Sequence, residues 1–120
     1  MIQESYVDGL FNHLDESEIK KGFHPGFIFM NKGEGNRLWQ YPLYNWLENA
    51  KEGKEKGFKY SFQNEFTTIK YQYIDVTGNI ASAKIEFYEG GKLKFIDYLS
   101  LIKFDAEWKL VYKMAHAIQN

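Results

Sequence analysis

Chemistry in this 120-residue chain would have to come from three histidines, one arginine, Ser100 and a large supply of aromatic rings. His24, between Phe23 and Pro25, titrates near neutral pH and could act as an acid or base at a pocket rim. A histidine at a helix exit also hydrogen-bonds nearby backbone and fixes the turn, and that plainer reading is favoured. His116, near the chain end, is a second candidate base and could pair with His13 or Tyr6. The histidines lack the helical spacing and adjacent carboxylates of a zinc site, so no metal is expected. Ser100 has no recognisable His and Asp partners, which argues against acyl transfer. No Gly-rich loop follows a strand, which argues against nucleotide hydrolysis, and no cofactor is implied. The absence of cysteine removes thiolate chemistry and disulfides. Arg37 could greet an anion, but a solvated position is the ordinary expectation. Trp39, Tyr44, Trp46, Tyr98, Trp108 and Tyr112 could ring a flat apolar ligand, although rings are equally the substance of a core.

These residues must be positioned by a recognisable series of elements. Ile2, Tyr6, Leu10 and Leu14 fall four apart, with Val7 and Phe11 widening the stripe, which predicts an amphipathic helix over residues 2–14. Asp15 three residues before Glu18 predicts a capping box and a short second helix closed at Gly22. Residues 27–30 and 37–40 read as short strands around a polar loop. Pro42 opens a third helix with Leu43, Trp46, Leu47 and Ala50 inward, stopped at Gly53 and followed by a solvated loop over residues 51–57. An antiparallel meander follows over residues 66–76, 80–89, 92–104 and 108–117.

Two-residue turns at Gly78-Asn79 and Gly90-Gly91 set a register in which Val76 faces Ala81, Ile74 faces Ala83, Glu89 faces Lys92, Ile85 faces Ile96 and Ala83 faces Tyr98. A three-residue turn at Asp105–Glu107 places Phe104 beside Trp108. One face then carries Lys70, Gln72, Ala81, Ala83, Ile85, Phe87, Tyr98, Ser100, Tyr112 and His116, and the helices are assigned to it. The other carries Tyr71, Tyr73, Phe95, Leu99, Leu101 and Val111 among charges, the composition of an interface, and predicts a homodimer through this outer sheet face.

Composition bounds the rest. One domain, residues 1–120, is expected. Apolar residues at 44% and charged residues at 26% are ordinary for a globular chain, whereas aromatics at 18% suggest a ring-lined cavity or an apolar surface. A net charge of -1 gives no basic footprint for nucleic acid. No segment reads as a membrane span or signal peptide, so a cytoplasmic location is the default expectation.

The series of helices and meander resembles the nuclear-transport-factor-two-like cone fold shared by ketosteroid isomerase, scytalone dehydratase and polyketide cyclases. Tyr6-Val7-Asp8-Gly9-Leu10, Phe23-His24-Pro25, Ile74 to Lys84, and Tyr98-Leu99-Ser100-Leu101 with Trp108-Lys109-Leu110 are similar to the branch labelled "Putative lumazine-binding". That branch usually has Gly before the last strand, where this chain has Ala106. The resemblance implies an α+β cone: helices on a curved, mostly antiparallel sheet around a central pocket, usually in a homodimer. Its enzymes use a pocket Asp or a His–Asp pair. The register above puts Asp75, Glu86 and Asp97 on the uncovered face, leaving no carboxylate inside, so binding without dedicated catalysis is the first expectation. The ligand would be a small apolar or aromatic organic molecule, with Tyr98, Ser100, Tyr112 and Gln72 as polar contacts and Trp39 and Trp46 as rim stackers. The alternatives are a cofactor-free isomerase or lyase with His24 or His116 as base, and a protein-interaction domain.

Overall fold

A computed structural model describes residues 2–56 and 66–118. The elements run α1 (Ile2–Asn12), α2 (Glu16–Gly22), β1 (Phe23–Lys32), β2 (Leu38–Pro42), α3 (Leu43–Glu55), β3 (Thr67–Thr77), β4 (Ile80–Glu89), β5 (Lys92–Phe104) and β6 (Glu107–Ala117). All six strands form one sheet in the order β2-β1-β6-β5-β4-β3, with β1 and β6 parallel and every other pair antiparallel. The helices pack on one face of this curved, unclosed sheet, giving the α+β architecture that the sequence predicts. No described helix is long and apolar enough to cross a membrane.

The N-terminal helix has wide π-type turns and closes where the His13 amide donates to Asp8 O at 2.5 Å and the Asp15 amide to Gly9 O at 2.7 Å. Leu14 takes a left-handed conformation there (φ 54°), and burial of its side chain offsets that strain. The expected stripe holds at the buried Ile2, Tyr6, Val7 and Leu14, while the side chains of Leu10 and Phe11 lie outside the described residues. Gly9 is required because a Cβ would stand 3.0 Å from Glu18 Cβ and Ile19 N. The Asp15 cap forms, its Oδ1 accepting from the Ser17 and Glu18 amides. Glu18 does not return the bond but pairs with His13 Nδ1 at 2.8 Å. Buried Asn12 bridges both backbone groups of Thr67, tying α1 to the start of β3. The third helix runs past Gly53 to Glu55, because Gly53 is buried in its last turns. Residues 51–55 are therefore helix rather than loop, and Gly57 lies outside the described residues.

The four meander strands stand close to their expected bounds, and the pairs Val76–Ala81, Ile74–Ala83 and Glu89–Lys92 form. The covered face, however, is corrected at three bulges. On β5 Lys94 is an extra residue between the pairs Tyr88–Leu93 and Phe87–Phe95, so Ile85 faces Asp97 and Ala83 faces Leu99. Gln72 is extra on β3 and Val111 on β6. A one-residue shift moves every later side chain to the opposite face. Phe95, Asp97, Leu99, Leu101 and Lys113 thereby turn under the helices, and Gln72, Tyr98, Ser100, Tyr112, Met114 and His116 turn away from them. The last hairpin is also one residue tighter than expected. Asp105 adopts a positive φ of 53°, and Phe104 faces Glu107 rather than Trp108.

The core beneath the helices contains Tyr6, Ile19, Phe23, Phe27, Ala83, Ile85, Phe87, Leu99 and Leu110, with Trp46 and Phe95 packed against it. Since Lys94 is the bulged residue itself, its deletion should leave regular β4–β5 pairing and the same faces. We expect the deletion variant to keep a cooperative urea transition and a native near-UV spectrum. Loss of both would show that the bulge is needed for folding.

Candidate functional site

Asp97 and Lys113 are charged residues inside apolar strands. The pairs Leu99–Lys113 and Asp97–Ala115 make them diagonal neighbours on the covered face of β5 and β6. From above, α1 lowers Tyr6 onto them. The Tyr6 hydroxyl donates to Asp97 Oδ2 at 2.6 Å and accepts from Lys113 Nζ, while Nζ stands 3.6 Å from the same carboxylate oxygen. Tyr6, Asp97 and Lys113 are all buried, with Asp97 at 0% exposure. Asp97 Oδ1, also buried, accepts no hydrogen bond among the described residues.

Rings enclose the lysine. Its ammonium lies 4.5 Å from the ring centroids of Tyr6 and Phe29, 4.9 Å from Trp46 and 5.9 Å from Phe87. Such contacts return part of the solvation that a buried cation loses. Burial still holds the Lys113 amine below the ordinary lysine range, with the Asp97 charge pulling it back up. Burial pushes the Tyr6 hydroxyl well above the ordinary tyrosine range, reinforced by Asp97 and then by Glu89. Tyr6 is therefore a fixed neutral donor at physiological pH, and one carboxylate oxygen of the triad is left without a donor among the described residues.

A wall of rings leads from the surface to this triad. Trp39, 41% exposed, stacks on Tyr41 at 5.0 Å and meets Phe29 edge-on at 5.1 Å. Phe29 and Tyr41 both reach Trp46, which stacks on Tyr6 at 6.2 Å and 13°. Trp39 and Trp46, the two expected rim stackers, both meet Phe29 and Tyr41 on this wall. The four expected polar contacts are not on it: Gln72 bonds Glu86 on the outer face, Tyr98 lies there under Lys84, and Ser100 pairs with Tyr112.

The two candidate bases are also elsewhere. His24 Nδ1 accepts from the Gly26 amide at 2.9 Å and its ring stacks on Phe104, so it fixes local backbone within β1. Exposed His116 faces Ile96 on the outer side. Of the expected interface residues, Phe95, Leu99 and Leu101 belong to the core or pack against it. Among the described residues no three His, Asp or Glu side chains gather as metal ligands. A separate surface groove of about 310 Å³ runs between Leu14–Ser17 and Lys51–Glu55, with mixed-charge walls. Sequence reasoning missed Tyr6, Asp97 and Lys113; the available signal was a pair of opposite charges within the two strands of one apolar hairpin.

Solved structures share this architecture across the whole chain. An NTF2-like protein of unknown function from Shewanella baltica is 18% identical, with 99% of this chain and 90% of that one covered and a TM-score of 0.73. One from Silicibacter pomeroyi is 16% identical over 98% and 90%, at 0.74. A third, from Methylobacillus flagellatus, is 21% identical over 98% and 87%, at 0.67. At these identities the likeness shows the fold alone. No curated protein matches the chain. A family profile does, over residues 2–116. With nearly its whole length matched and the fold of those NTF2-like structures present in its strands and helices, the chain belongs to the family described as Putative lumazine-binding.

Proposed function

We propose that this chain binds a small, flat organic molecule against the ring wall of Phe29, Trp39, Tyr41 and Trp46, with a ligand N–H or O–H group donating to Asp97. The observation that carries this reading is the buried Asp97 Oδ1, which accepts no hydrogen bond among the described residues in a triad that is otherwise paired. A buried acceptor without a donor is costly, and a ligand that supplies the donor recovers that cost as affinity. Flat rings suit the wall because they stack without ordering many rotatable bonds. The family name supplies a matching chemistry, since a lumazine is a flat heterocycle carrying N–H donors beside carbonyl acceptors.

Lumazine itself is the first probe. Titration should quench tryptophan fluorescence saturably, and Asp97→Asn should weaken binding about ten- to a hundredfold, the range for a lost charge-assisted hydrogen bond. Absence of saturable quenching excludes lumazine, and an unchanged affinity in a folded Asp97→Asn protein removes Asp97 from the site.

A second reading, cofactor-independent isomerisation or elimination, is favoured by the same carboxylate. Asp97 rather than His24 or His116 would be its base, in a water-poor interior. Asp97-dependent deuterium incorporation next to the carbonyl of an added cyclic ketone is the outcome this reading requires. No exchange above buffer ends that version.

A further inference from the structure

Strand β3 ends the sheet, and beyond Thr67, whose backbone groups are bonded by Asn12, no described strand pairs with its outer edge. It is eleven residues long, contains no proline, and exposes Tyr71 (48%), Tyr73 (43%), Ile74 (54%) and Val76 (55%). Edges of this kind are usually blunted by charge, proline or a bulge. Here both the charges and the bulge fit a second copy of the same strand.

Consider β3 laid antiparallel to itself with Lys70 opposite the partner's Asp75. Thr68 then meets the partner's Thr77, Ile69 the partner's Val76, and Tyr71 the partner's Ile74. In a regular strand this register would fail, because each pair joins an odd with an even position and so joins opposite faces. The extra residue Gln72 removes the conflict. Ile69 and Tyr71 face the same side of the sheet as Ile74 and Val76, while Lys70, opposite Glu86 on β4, shares the other side with Asp75, opposite Ser82. The bulge thus falls on the twofold axis, between Gln72 and Tyr73, with a Lys–Asp pair on either side of it.

We propose that two copies of this chain join edge to edge along β3 in this register, continuing one sheet across both. Apolar pairs (Ile–Val, Tyr–Ile) and opposite charges across the strands each stabilise such a junction. A contact through the outer sheet face would instead centre on exposed Tyr98 and Met114.

Sedimentation equilibrium should show a dimer of the wild-type chain. Asp75→Lys should weaken it at least about tenfold, by setting like charges opposite each other twice, and Lys70→Asp combined with Asp75→Lys should restore it. Gln72→Cys should form an intermolecular disulfide on oxidation, in a chain with no other cysteine. A monomeric wild type overturns the proposal. So does a dimer indifferent to Asp75→Lys, including one broken instead by Tyr98→Asp.

Discussion

Asp97→Leu should destabilise the folded chain by about 3–5 kcal/mol, because Lys113 would be left in the core with no anion beside it, at the cost of burying an unpaired charge or of giving up its proton. Lys113→Met should cost a similar amount, leaving a buried carboxylate with only the Tyr6 hydroxyl for a partner. The double variant is expected to recover most or all of this loss. Two well-packed apolar side chains avoid the desolvation that the ion pair incurs, and such replacements of buried pairs are often neutral or stabilising. Urea unfolding with an unchanged slope measures all four corners of the cycle. Strictly additive single effects would show that the two groups do not act as a pair.

The pair also gives an alkaline signature whose sign can be worked out. The folded Lys113 amine lies below the ordinary lysine value of 10.5. Between that lowered value and 10.5 the unfolded chain binds more protons, so this residue makes stability rise with pH across the window. Tyr6 works in the other direction, since its folded value lies well above 10.0. The stability from keeping Tyr6 neutral is full below pH 10 and is lost as pH climbs above it. Relative to wild type, Lys113→Met should flatten the alkaline rise and Tyr6→Phe should remove the later fall.

Why the sequence yielded the fold but not the site follows from the bulges. Helix stripes and strand runs depend on local periodicity, and Gly78-Asn79 and Gly90-Gly91 fix the register next to their turns. That is why Val76–Ala81 and Glu89–Lys92 form as expected. Nothing in Leu93-Lys94-Phe95 marks Lys94 as the residue to be skipped, because each local choice of pairing has acceptable chemistry. The decision is tertiary: with Lys94 bulged, Phe95, Leu99 and Leu101 reach the helices and complete the core. Asp97 and Lys113 go with them, and their opposite charges make that burial tolerable. The plainer reading of His24 depended only on its neighbours in the chain, and its bond to the Gly26 amide fits that reading.

Trp46→Ala should cost about 3 kcal/mol or more, the lower part of the range for removing a large ring from a core. Trp46 is half-buried, but its ring touches those of Tyr6, Phe23, Phe27, Phe29 and Tyr41 and also covers the Lys113 ammonium. Truncation therefore opens a cavity and strips one face from a buried cation. Trp46→Phe keeps a ring and should lose much less. Trp39→Ala, at a site 41% exposed, should stay within about 1 kcal/mol. Urea midpoints for the three variants test this order, and a Trp39→Ala loss as large as that of Trp46→Ala would contradict it. The folded Trp46→Phe protein then separates packing from recognition. If the wall serves only as core, lumazine quenching of the remaining tryptophans keeps its wild-type midpoint. A wall that stacks the ligand should instead bind severalfold more weakly in Trp46→Phe and also in Trp39→Ala, where stability hardly changes.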